Sequence, residues 1–287
     1  MTRCSSAPVA ARLIAATALA LSLSAVLPAP VAQEPLPARV PAPPPALTVE
    51  QQEAFLAEGR VIKRRSVTKG VTGTTRVTLT DGTTTHDASI QTIDLRKTQY
   101  PTAHGVEFNF RDSWKYNIAA YRLARLLGID MIPPSVERTW EGDPASFTWW
   151  VDDVIMDDQA RLAQKAQPPD PQFWQQQIFV VRVFDQLIAN VDRNQGNLLI
   201  TRDWKVWMID HSRSFRLNET ARDLNSLVKC DRQLLERLRT LEYDATRRAL
   251  GGYVTEAELD ALFKRRDFIV TRFDGLGPAG LYDLEKR

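Results

Sequence analysis

The chain has two cysteines and three histidines in 287 residues. Cys4 precedes the N-terminal apolar run, which leaves Cys230 alone in the body of the chain, so that part forms no internal disulfide. His86, His104 and His211 show no metal-ligand spacing, which argues against a zinc hydrolase. A Gly-x-Ser-x-Gly elbow and a cysteine–histidine arrangement are both missing, which removes the common nucleophilic hydrolases. The formal net charge is only +2, and the chain lacks the basic excess that nucleic-acid phosphates demand, so nucleic acid is not an expected partner. Long apolar runs are missing too, beyond the one near the N-terminus.

That run, LIAATALALSLSAVL from Leu13 to Leu27, follows Arg3 and Arg12 and ends in the small-residue exit Pro30-Val31-Ala32. The pattern is that of a secretory signal over residues 1–32, cleaved near Ala32, and it predicts an exported protein, periplasmic or extracellular. The run is short for a membrane span, so a membrane tether follows only if the signal stays uncleaved. Cys4 lies before the run and does not sit as a lipoprotein acceptor. Removing the segment takes away two arginines and no acids, and the net charge falls from +2 to zero. Residues 33–47 form a proline-rich linker whose composition favours a polyproline-type spacer over a packed element.

Residues 48–287 are long enough for one domain with a sizeable core. Thr48 is placed to cap a short helix, after which the pattern turns to strands. The Asp81-Gly82 pair between β-branched runs predicts a hairpin. Gly70 and Gly73, with Thr74 and Thr75, form a glycine-bearing turn that can lay backbone N–H groups over phosphates. From Asp112 to Gly128 the apolar period is helical, with Asp112 or Ser113 as cap and Gly128 as stop. Residues 147–156 suit a strand entering an inter-lobe connection, where Trp149 and Trp150 either wall a pocket or fill the core. After Pro168-Pro169 the chain reads as helical. Helices are expected over 171–190, 221–228, 231–241, 244–250, 255–266 and 267–273, with Arg247, Arg248, Arg265 and Arg266 as solvated helix ends.

The stretch with chemical content is Phe184 to Phe215, FDQLIANVDRNQGNLLITRDWKVWMIDHSRSF. It places Asp192, then Asn197 five positions on, then Asp210 thirteen beyond. Phosphoryl transfer requires positioning and charge compensation more than covalent help from the protein. One carboxylate orients the attacking group, while a carboxamide and a second carboxylate are hard oxygen ligands suited to Mg²⁺ or Mn²⁺. LLITRDWKVWMI reads as two short strands joined at Arg202-Asp203, a hairpin that returns Asn197 and Asp210 to the same end.

The loop Asn190-Val191-Asp192-Arg193-Asn194-Gln195-Gly196-Asn197 and the motif Ile209-Asp210-His211-Ser212-Arg213-Ser214-Phe215 resemble the catalytic core of atypical kinases. The similar families are the phosphatidylinositol 3- and 4-kinase-related enzymes, the secreted kinases of the Golgi casein kinase type and the persistence-toxin serine kinases. The resemblance implies an α+β, two-lobed, protein-kinase-like fold, with a strand-rich lobe over 48–167 and a helical lobe over 168–287. It implies Asp192 as catalytic base, Asn197 and Asp210 as metal ligands, and ATP or another nucleotide as donor. The acceptor stays open among a protein, a lipid headgroup and a small molecule. Asn194 stands where a histidine is common in such loops.

One departure bears on activity. The strand lysine and helix glutamate expected of a kinase fall on Gln91 and Asn117, an amide pair able to hold the geometry by hydrogen bonding without the charge. Lys97, Lys115 and Arg96 are the cations that could replace it. Two functional classes follow: an exported metal- and nucleotide-dependent phosphotransferase, and a pseudokinase serving as a nucleotide- or protein-binding module of the cell envelope. A structural envelope protein with coincidental acidic residues is the third class.

Overall fold

The computed structural model describes residues 47–66, 74–102 and 105–285. The signal segment, all of the spacer but Leu47, and Gly70 and Gly73 of the expected phosphate turn lie outside the described residues. Thr48 caps α1 (Val49–Glu58): its hydroxyl accepts from the Gln51 amide while the Gln51 side chain accepts from Thr48 N. This capping box satisfies two end amides at once.

β1 (Arg60–Ser66), β2 (Thr75–Thr80) and β3 (Thr85–Gln91) then form an antiparallel meander. The β2–β3 turn works because Asp81 accepts from the amides of Thr83 and Thr84 at 2.8 and 2.7 Å, and Gly82 takes φ +95°. Among the described residues β4 (Asp94–Thr102) and β5 (Gly105–Ser113) pair only with each other, as a two-stranded ribbon. α2 (Lys115–Leu127) follows and stops at Gly128, whose φ of 65° suits a residue without a side chain. β6 (Ser135–Trp140) and β7 (Asp143–Trp149) complete a five-stranded sheet in the order β1-β2-β3-β7-β6. Phe55 and Leu56 of α1 cover one face of it, packing on Val77, Leu79, Ala88, Ile90, Phe147 and Trp149.

The chain crosses at residues 150–153 into β8 (Val154–Asp157), α3 (Asp158–Gln164) and α4 (Pro171–Leu187). β9 (Leu198–Thr201) and β10 (Val206–Met208) extend β8 into a three-stranded sheet. β11 (Cys230–Asp231), α5 (Arg232–Arg239), α6 (Tyr243–Leu250), α7 (Glu256–Leu276) and β12 (Leu281–Tyr282) close the helical lobe. Its core joins Phe184 and Leu187 of α4, Ile200 and Met208 of the sheet and Leu262 of α7 to the inner face of α2. The protein is a two-lobed α+β fold.

Several elements differ from expectation. Asp112 and Ser113 end β5 and Trp114 takes the cap position of α2 without a side-chain bond, although the Ser113 hydroxyl still accepts from Lys115 N at 3.4 Å. β8 and α3 belong to the helical lobe, because β8 pairs with β9, so the lobes divide at the connection and not at residue 167. Residues 221–228 hold only the short 3-10 turn Leu224–Ser226. The two expected C-terminal helices are one, since no glycine or proline interrupts the period at Arg266-Asp267. Arg265 is fully buried, donating to the carbonyls of Leu187, Arg216 and Asn218. Desolvation lowers its pKa to about 10.

Candidate active site

The β9–β10 hairpin brings Asn197 and Asp210 together. Asn197 ends the 3-10 turn Gln195–Asn197, which is capped by the Asn194 side chain accepting from Gly196 N at 2.9 Å. Leu198 pairs with Met208, and one residue later Ile209 N donates to Asn197 O at 3.1 Å. Asn197 and Asp210 therefore leave the same end of the hairpin. Asp210 has φ 54°, a left-handed conformation that aspartate tolerates better than most residues. Its Oδ1 is buried and has no hydrogen-bond partner among the described residues. The Asn197 Nδ2 donates to the Asp192 carbonyl at 3.4 Å, which turns its Oδ1 away from that contact. An orphaned carboxylate oxygen beside a carboxamide fits a hard divalent cation.

Asp192 reaches this end from α4. Beyond Leu187 the backbone turns through Ala189 at φ 48°, and Asn190 ties the turn by accepting Asp192 N at 3.0 Å and donating to Asp185 at 3.1 Å. The next residue fixes the whole loop. Arg193 grips Asp185 through Nε and Nη2 at 2.9 and 3.1 Å, and its Nη1 donates to the carbonyls of Asn197 and Ile209 at 3.1 and 2.8 Å. Both partners of this ion pair are largely shielded from solvent. One guanidinium thus joins the end of α4, the Asp192 loop and the strand leading to Asp210. Arg193 stands in the loop motif, but its pairing with Asp185 was not legible, because it spans a helix end and a loop with no regular period.

Asp192 is about half exposed, and its Oδ1 lies 3.2 Å from Arg213 Nη1. Burial raises its pKa first; the charges of Asp210 and Glu107 push the same way, against Arg213 and Arg216. Glu107, from the ribbon, pairs with Arg213 at 2.6 Å and Arg216 at 2.7 Å, and both guanidinium groups lie over Phe110. A fourth carboxylate, after Asp210, Asp192 and Glu107, faces the site from β5. Asp112 is 6 % exposed, and its Oδ1 has no hydrogen-bond partner among the described residues. Its pKa is raised by burial and by the charges of Asp210 and Asp192, against a hydrogen bond from Ser212 and the charge of Arg213. His211, buried beside these groups, is held neutral: burial, with the Arg193 charge, keeps its pKa well below the usual value.

Gln91 and Asn117 meet. Asn117 Nδ2 donates to Gln91 Oε1, Gln91 Nε2 donates to Thr74 Oγ1 at 3.2 Å, and Asn117 Oδ1 accepts His211 N at 2.8 Å. A chain of neutral groups therefore links β2, β3 and α2 to the residue after Asp210. Thr75 lies on the opposite face of β2 from Thr74, by strand alternation, and does not join it. The substitute cations do not arrive either. Lys115 pairs with Asp94 at 3.0 Å and Lys97 lies over Tyr100, while no described contact brings Arg96 to the site. The cations found beside the carboxylates are Arg213 and Arg216.

The architecture can be compared with solved structures. Hydra Fam20, solved with sugar, superposes with a TM-score of 0.59 over 82% of this chain and 92% of that one, at 15% identity. The fold is kinase-like. The Golgi casein kinase with Mn/ADP bound gives the same TM-score of 0.59 over 82% of this chain and 78% of that one, at 13% identity. The Helicobacter pylori proinflammatory kinase CtkA gives 0.51 over 77% and 98%, at 10% identity. At such identities the likeness is one of fold. No family model matches the sequence, and no curated protein matches it. A separate cavity of about 610 Å³, lined by Gln52, Pro133, Trp149, Val151, Arg202 and Trp207 among others, opens on the α1 side of the kinase-like connection and contains none of the residues above.

Proposed function

We propose that this kinase-like protein is an exported phosphotransferase that uses a nucleotide donor and a divalent metal, Mg²⁺ or Mn²⁺. The observation that carries the reading is the unpartnered, buried Asp210 Oδ1 beside Asn197, at the end of the hairpin that also faces Asp192. Asn197 and Asp210 hold the metal, which supplies charge neutralisation on the donor phosphates. Asp192 aligns the acceptor hydroxyl and takes its proton as the oxygen–phosphorus bond forms and the bond to the leaving diphosphate breaks. Arg193 positions all three residues without touching the reactants. The acceptor is a hydroxyl of a protein, a lipid headgroup or a small molecule.

One observation favours a second reading. The neutral Gln91–Asn117 contact stands where a cation on the phosphates is expected, which suits a pseudokinase that binds a nucleotide or a protein without turnover. Thermal melting of the full chain with ATP and Mg²⁺ or Mn²⁺, beside Asp210→Ala, tests the site itself. A ligand specific to the folded state raises the melting temperature with its occupancy. A metal-dependent rise that disappears in Asp210→Ala supports the site, and its absence in the wild type with every nucleotide and metal removes it. Phosphate transfer to a generic hydroxyl acceptor, or nucleotide hydrolysis, then separates enzyme from pseudokinase.

A further inference from the structure

The sheet face opposite α1 changes character along its length. Val77, Leu79, Ala88, Ile90 and Trp149 enter the core beneath α1, so alternation turns Arg76, Thr78, Asp87 and Ser89 to the side where Gln91 meets Asn117. Arg76 is the cross-strand partner of Ser89, two positions from Gln91. From Gln91 to Asp87 the strand covers about 13 Å at its usual rise. One end of this roof carries the amides linked to His211. The other end, toward the inter-lobe connection, carries an ion pair.

That pair is built to hold a flat surface. Arg76 Nε and Nη2 both engage Asp87 Oδ2, at 2.7 and 2.5 Å, and the guanidinium carbon stands 4.1 Å from the centre of the Trp150 ring. Thr78 donates to the other Asp87 oxygen at 2.5 Å, Arg65 lies 3.7 Å from the carboxylate, and Trp150 N donates to Asp87 O at 3.1 Å. Asp87 is mostly shielded, whereas the Arg76 side chain keeps 31 % of its surface exposed. Two of the arginine's donor edges and much of its charge are therefore committed to Asp87. What it offers the cleft is a planar, delocalised face backed by an indole, a surface suited to stacking an aromatic ring.

We propose that Arg76, held flat by Asp87 and Trp150, is the residue on which the heterocyclic base of the nucleotide donor stacks. This rests on the phosphotransferase reading, which puts the donor's phosphates at Asn197 and Asp210; the base then lies along the roof, toward residues 150–153. The Nε edge of Arg76 and the pair's charge are committed to Asp87, which weakens Arg76 as a phosphate contact relative to its stacking face.

The test compares a ligand with a base and one without. Calorimetric titration of the full chain with ATP and with inorganic tripolyphosphate, each with Mg²⁺, is repeated for Arg76→Lys and Arg76→Ala. Arg76→Lys retains the charge and a partner for Asp87 but loses the planar face, so it stays informative if the alanine variant does not fold. The expected result is a loss of about tenfold in ATP affinity in either variant, from stacking, with tripolyphosphate affinity unchanged. Unaltered ATP affinity in folded Arg76→Lys overturns the inference, and so does an equal loss for both ligands, which would make Arg76 a phosphate contact. If the wild type binds neither ligand, the phosphotransferase reading itself fails, and the stacking role falls with it.

Discussion

Arg213 stands between two carboxylates, 3.2 Å from Asp192 and 2.6 Å from Glu107 of the ribbon. The candidate base is thus tied to an element that neither lobe's sheet includes. Burial pushes the Asp192 pKa up and Arg213 opposes that push. Arg213→Gln removes the opposing charge, so the pKa should rise further. Because Asp192 must be ionised to accept a proton, the acid limb of the kcat/KM–pH profile should move to higher pH. An unmoved limb would mean that Asp192 is not the titrating base.

Asp112 should cost stability where it is ionised. Its folded pKa lies above the unfolded value, so the native state holds the proton longer, and stability falls as pH rises through the window between the two. Below the unfolded pKa this penalty is absent. Asp112→Asn keeps the shape and a Ser212 contact without the charge. Denaturant melts at acid and neutral pH should show the variant gaining on the wild type as pH rises. A constant difference across pH would contradict the assignment.

Arg193→Met leaves Asp185 buried without its cation and frees two loop carbonyls. Breaking a buried pair from one side costs about 3–5 kcal/mol. Urea unfolding should read a loss of that order. Asp185→Asn/Arg193→Met, which removes both charges, should recover part of it. If the single and double variants match the wild type, Arg193 does not fix the loop.

The amide pair makes a double-mutant cycle possible. Gln91→Lys alone buries an unpaired cation and should destabilise the fold by several kcal/mol, while adding Asn117→Glu supplies its partner. The cycle should show strong favourable coupling in stability, and nucleotide binding by the double variant should tighten if the missing cation limits it. Additive stability effects would show that the two side chains do not share one environment.

The sequence by itself determined what local rules control. Hairpin chemistry at Arg202-Asp203, the Thr48 cap and the Gly128 stop are set by residues a few positions apart, and all formed. So was the return of Asn197 and Asp210 to one hairpin end, because strand pairing fixes it. The β4–β5 ribbon departs from the usual rule: Val106, Phe108 and Phe110 alternate with Glu107, Asn109 and Arg111 as strand residues do, yet Val106 and Phe108 are exposed, so the pattern marks a strand without telling where its apolar face lies. Asp112 and Arg265 read as a cap and a solvated end, yet both are buried. Only the tertiary structure decided which charges meet. Arg193 with Asp185, Arg213 with Glu107 and Arg76 with Asp87 and Trp150 depend on how elements cross and on how much water is excluded where they do, and desolvation at such crossings is a property of the packed fold that no sequence window carries.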